Sequence, residues 1–129
     1  MTARTLEKAE RLHSKKLIQE LFTKGSSFYL HPFKVLVLSN PASSATDHHQ
    51  ILVSVSKRNF KRAKDRNTIK RRIKEAYRLQ KANFKSSPSL LIAFLYIAKE
   101  VLPSSTIHPS LIQALKKVEQ KHLSDSNAF

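Results

Sequence analysis

Residues 90–97 read Leu-Leu-Ile-Ala-Phe-Leu-Tyr-Ile, eight consecutive side chains with no charge among them. An unbroken apolar run of this length suits a strand covered on both faces, the central strand of a sheet. Ser86-Ser87-Pro88 breaks the chain just before it. Upstream, Ile69, Ile73, Ala76 and Tyr77, with Phe84 beyond, recur at helical spacing after Asp65. A helix capped by Asp65 is therefore expected over about Arg66 to Ala82. Further back, Gln50–Ser56 alternates Ile51, Val53 and Val55 against Leu52, Ser54 and Ser56. That is a strand with one apolar face and one partly polar face, the second available to a ligand.

Working outward from this strand–helix–strand unit, Ser14 can cap a first helix over about Lys15 to Lys24, with Leu17, Ile18, Leu21 and Phe22 as its apolar positions and Gly25 just past its end. Phe28–Leu30 and Phe33–Leu38 read as extended, either one strand bent at His31-Pro32 or two. Asn40–His49 is polar and reads as a loop. After Pro103, Ile107, Leu111, Leu115, Val118 and His122 trace one face of a last helix, with Pro109 tolerated if it lies in the first turn. This order makes an α+β fold, a two-layer sandwich of one sheet with helices against it. At 129 residues and 40% apolar composition the chain reads as a single domain, ordered over about residues 10–123.

The chain holds 24 Lys and Arg against nine acids, a net charge of +15, and no cysteine. A body this basic repels itself unless a polyanion is its partner, and lack of cysteine fits a reducing compartment, so a cytoplasmic nucleic-acid binder is expected. Residues 1–12 show no secretory signal, and Leu90–Ala98, the longest apolar run, is too short for a bilayer. The 25 residues from Lys57 to Lys81 carry 12 of the basic side chains with only Asp65 and Glu75. On the helix, Asn67, Lys70, Arg71, Lys74 and Arg78 fall opposite the apolar positions. An ordinary solvated face mixes signs so that Glu and Lys pair, whereas this one segregates them, as phosphate contact requires. Nine scattered acids supply no carboxylate cluster for a metal-dependent nuclease, so no catalytic residue and no protein metal site are expected. Asp47, His48 and His49 are better read as solvated than as a metal clip.

Three stretches carry a resemblance to a known family: Ile18-Gln19-Glu20-Leu21-Phe22-Thr23-Lys24-Gly25-Ser26 preceded by Arg11-Leu12, then Val53-Ser54-Val55-Ser56-Lys57-Arg58, then Arg66-Asn67-Thr68-Ile69-Lys70-Arg71-Arg72-Ile73-Lys74-Glu75-Ala76-Tyr77-Arg78. Together, over about residues 10–120, they resemble the bacterial ribonuclease P protein subunit. The resemblance implies a sheet of about four strands with a left-handed βαβ crossover, contrary to the general right-handed rule. It implies a protein that assists a catalytic RNA in removing the 5′ leader of precursor tRNA, with Mg²⁺ held mainly by that RNA and the substrate. The partners would be the catalytic RNA subunit and precursor tRNA, with no DNA and no membrane.

By the same resemblance, Arg66, Asn67, Lys70, Arg71 and Lys74 face RNA, with Arg11, Lys57, Arg58, Arg62 and Arg78 adding to that surface. Thr68 stands where the family usually has the second Arg of its signature, so that one contact is either lost or moved to Arg72 or Arg62. The leader would lie in a cleft lined by Ile18, Phe22, Lys34, Leu36, Ser54 and Ser56, where Ile18 and Leu36 replace residues that are commonly aromatic. Phe22 remains as a stacking side chain, with a core position in the first helix as the even alternative. A ribosomal or nucleoid binding module, and a protein-only ribonuclease, are the rival functions.

Overall fold

A computed structural model of the chain describes Leu12 and residues 14–39, 49–80 and 90–127, with side chains of the last helix through Gln120. Among these, the elements are α1 (Lys15–Lys24), β1 (Ser26–Leu30), β2 (Phe33–Ser39), β3 (Gln50–Val55), α2 (Ala63–Gln80), β4 (Leu90–Tyr96) and α3 (Ser104–Asn127). The strands form one sheet in the order β1-β2-β4-β3. β1 with β2 and β2 with β4 are antiparallel, while β3 and β4 are parallel. The two extended segments are thus separate strands, turning at a cis His31-Pro32 bond. Parallel neighbours cannot be joined by a hairpin, so the chain crosses from β3 to β4 through α2. β4 lies inside the sheet, and all of it but Leu95 is buried.

Strand alternation sorts the side chains onto two faces. Phe33, Val35, Ile51, Val55, Ile92, Phe94 and Tyr96 form one core with Ile69, Ile73, Ala76 and Tyr77 of α2 and Ile107, Leu111 and Leu115 of α3. Phe33 meets the edges of Phe94 and Tyr96 at 5.9 and 6.4 Å between centroids. On the other face, Leu36, Leu91 and Ala93 pack with Leu12 and Leu21, ringed by Leu17, Ile18, Leu38, Leu52 and Leu95. Leu12 also donates its N–H to the Ile51 carbonyl at 2.8 Å, on the outer edge of β3. α1 covers only part of this second face, since Tyr29 and Ser54 on it stay exposed.

α1 has the expected bounds, and the Ser14 hydroxyl accepts the Leu17 N–H at 3.3 Å. Gly25 ends it in an extended conformation. A Cβ there would sit 2.4 Å from the Leu21 carbonyl oxygen and 3.0 Å from that of Val37, so close approach requires the glycine. Two expectations are corrected. α2 begins at Ala63, which places Asp65 inside the first turn, where its carboxylate favours the helix dipole, and not at the cap. α3 begins at Ser104, so Pro109 is past the first turn, removing the N–H that would bond the Ser105 carbonyl. Burial of Ile107, Leu111, Ala114, Leu115 and Val118 holds the helix through that position.

The turn from β4 to α3 is clamped from two sides. The Tyr96 hydroxyl donates to the Glu100 carbonyl at 2.5 Å and accepts the Leu102 N–H at 3.1 Å. Arg72 donates to the Leu102 carbonyl at 2.7 Å. Burial raises the Tyr96 pKa above its ordinary value, keeping the phenol protonated as a donor. Ala82, Phe84, the 86–88 break and the 40–48 loop, with Asp47 and His48, lie outside the described residues, as does the side chain of His122. His49 is not simply solvated, since its Nδ1 accepts the Leu90 N–H at 2.9 Å. Among the described residues no helix is long and apolar enough to cross a membrane.

Candidate nucleic-acid interface

The basic segment begins where β3 leaves the sheet. The Ser56 hydroxyl accepts the Arg58 N–H at 3.0 Å, and the Phe60 N–H reaches the Ser56 carbonyl at 3.1 Å, which curls residues 56–60 into a compact turn. Phe60 is buried against the Tyr96 ring at 5.9 Å and anchors that turn in the core. Lys57 and Arg58 are thereby exposed on a loop fastened at both ends. Nothing in the charge pattern singles out Phe60, although a lone aromatic in a basic run is a signal for such an anchor.

Two of the arginines are bound to backbone. Arg66 donates to the carbonyls of Phe60 at 2.7 Å and Lys61 at 3.0 Å, so it braces the loop before it presents any charge to a partner. Arg72 donates through one guanidinium nitrogen to the Leu102 carbonyl at 2.7 Å, which ties it to the connection between β4 and α3. Thr68 itself turns back to the Lys64 carbonyl at 2.9 Å. Arg62, Asn67 and Arg71 are exposed, while Lys70, Lys74 and Arg78 are half-buried on the same helix. Arg78 lies 3.9 Å from Glu75, a surface pair worth little and open to exchange for phosphate. Arg11 lies outside the described residues.

The second surface is the part of the sheet that α1 leaves open. Cross-strand pairing sets Tyr29, Lys34, Leu95 and Ser54 in one row, and Ser27, Leu36, Ala93 and Leu52 in the next. Leu36 is 5% exposed, packed in the cluster with Leu21, so it is a floor under the helix and offers no surface to a ligand. Ile18 is half-buried in the same cluster. Phe22 is 47% exposed, which takes it out of the core, and Ser54 and Ser56 are exposed with Lys34 half-buried. Tyr29, absent from the expected cleft residues, is 65% exposed on this face. α2 packs on the opposite side of the sheet, so the two surfaces lie in different layers, joined at one end by the loop after Ser56. Among the described residues no three His, Cys, Asp or Glu side chains converge as metal ligands. The arrangement is suited to holding phosphates and bases.

The model of the ribonuclease P family matches residues 6–119. A ribonuclease P protein component from Porphyromonas gingivalis is 30% identical over 118 residues, 88% of this chain and 85% of that protein. One from Petrotoga mobilis is 30% identical over 126 residues, 92% of this chain and 99% of that protein. The fold is similar to the Staphylococcus aureus RNase P protein, with a TM-score of 0.72 and 27% identity over 87% of this chain and 97% of that one. The class so defined is that of protein components of ribonucleoproteins engaged in tRNA processing, with RNA as the partner. The chain belongs to the ribonuclease P protein component family.

Proposed function

We propose that the protein binds the catalytic RNA of ribonuclease P through its basic loop and helix and the 5′ leader of precursor tRNA along the open face of the sheet. Cleavage of the leader is then carried out by the RNA, and the protein alone is inactive. The observation that carries this reading is the continuity of the two surfaces. β3 runs from exposed Ser54 on the open face directly into Lys57 and Arg58, which lead into the cationic side of α2. A strand of RNA on the open face would thus end beside the largest concentration of positive charge in the chain. Mg²⁺ belongs to the catalytic RNA and its substrate. The chain's part is to lower phosphate repulsion, so that metal sites in the RNA form at lower Mg²⁺. A cytoplasmic setting follows from that role.

Phe22→Ala tests the leader assignment. The exposed ring contributes little to the fold, so thermal stability should barely change. Affinity for precursor tRNA with a leader should fall by about 1–3 kcal/mol, the value of a base stacked on an aromatic ring, with mature tRNA unaffected. An equal loss on both RNAs in a stable variant would remove the leader from this face.

A further inference from the structure

Phe22 and Tyr29 are the only exposed Phe or Tyr side chains among the described residues. Phe22 belongs to α1, whereas Tyr29 belongs to the sheet. Its row of four runs across all the strands, from Tyr29 on β1 through Lys34 and Leu95 to Ser54 on β3. With strands about 4.8 Å apart the row is roughly 14 Å long. It lies beyond the row of buried Leu36 and Ala93, which α1 covers, and its Ser54 end continues into the basic loop. At the other end the Lys34 ammonium stands 5.4 Å from the centroid of the Tyr29 ring. A lone tyrosine on an edge strand is common, but one paired in register with a lysine combines a stacking surface with a phosphate contact. Leu36, aliphatic and buried, supplies no stacking surface of its own.

We infer that Tyr29 and Lys34 form a nucleobase-stacking subsite at the β1 end of the open face, taking an unpaired base of single-stranded RNA on the phenol ring with its flanking phosphate on the Lys34 ammonium. This inference rests on the assignment of the open face to the precursor leader. Stacking accepts any base and electrostatic contact accepts any phosphate, so the subsite adds affinity without sequence preference. Its hydroxyl is dispensable and its ring is not.

The test compares the wild type, Tyr29→Leu and Tyr29→Phe, each assembled with a ribonuclease P RNA, for binding a precursor tRNA and the same tRNA without its leader. Tyr29→Leu is expected to weaken the precursor about tenfold and to leave the leaderless tRNA unchanged, while Tyr29→Phe binds both like the wild type. The exposure of the side chain predicts unchanged melting in both variants. Should Tyr29→Leu retain full precursor affinity while Phe22→Ala loses it, the subsite is wrong and the leader assignment stands. Should Tyr29→Leu lose equal affinity for both RNAs, the subsite is likewise wrong. If the wild type itself does not distinguish the two RNAs, the leader assignment fails and the subsite with it.

Discussion

Replacing Lys57, Arg58, Lys70 and Arg71 together by alanine is expected to weaken binding to a ribonuclease P RNA most strongly at low salt. Lys57, Arg58 and Arg71 are exposed and Lys70 is half-buried, and none of the four is among the buried positions of α2, Ile69, Ile73, Ala76 and Tyr77. The fold should therefore survive their loss. Each phosphate contact removed lowers the slope of log K against log salt by about 0.7–0.9, so four lower it by about three. Between 50 and 200 mM salt that difference amounts to roughly two orders of magnitude, with the wild-type and variant lines converging as salt rises. Arg66 is kept because its guanidinium holds the carbonyls of Phe60 and Lys61, and its loss would disturb the loop along with the charge. An unchanged slope in the folded quadruple variant would mean that RNA lies elsewhere.

Leu21→Ala should produce a large effect of another kind. Leu21 is fully buried and ties α1 to Leu36, Leu91 and Ala93 of the sheet. Truncating a buried leucine costs about 2–5 kcal/mol, from lost transfer energy and the cavity left behind. α1 has ten residues, too few to persist as a helix without packing, so the wall beside the open face should loosen with it. Denaturant unfolding is expected to show the loss directly, and binding of leader should fall as a consequence. The neighbouring Phe22→Ala should do the reverse, sparing stability while losing leader affinity. A Leu21→Ala variant of undiminished stability would contradict the docking of α1 described above.

The contrast between these adjacent residues shows which features were legible in the sequence. Spacing placed Leu21 inward but left Phe22 at even odds, because a helix of ten residues has a broad border between its faces. The alternation of β3 identified Ser54 and Ser56 as one face, and the unbroken apolar run of β4 identified an inner strand. The resemblance puts Leu36 in the leader cleft, whereas it is buried beneath α1, because how far along that face α1 extends depends on tertiary packing. The same limit applied to the cations. Counting charges shows that Arg66 and Arg72 are basic, while their engagement with the carbonyls of Phe60, Lys61 and Leu102 depends on where two loops meet the helix. Tyr29 is not marked by the sequence, because Phe28–Leu30 and Phe33–Leu38 read equally as one strand or two. Only the pairing of β1 with β2 sets Tyr29 opposite Lys34.

The most direct test of the whole account is cleavage of a precursor tRNA at low Mg²⁺ by the protein alone, by a bacterial ribonuclease P RNA alone, and by the two together. The protein alone is expected to leave the precursor intact at every Mg²⁺ concentration, and the mixture to restore cleavage at the mature 5′ end where the RNA alone is nearly inactive. Charge by itself is not sufficient, so polylysine of equal charge should fail to restore leader-dependent affinity. The rescue should fade at high Mg²⁺ and monovalent salt, where ions screen the RNA unaided. Cleavage by nuclease-free protein without RNA, or no rescue of its cognate RNA, would contradict the account.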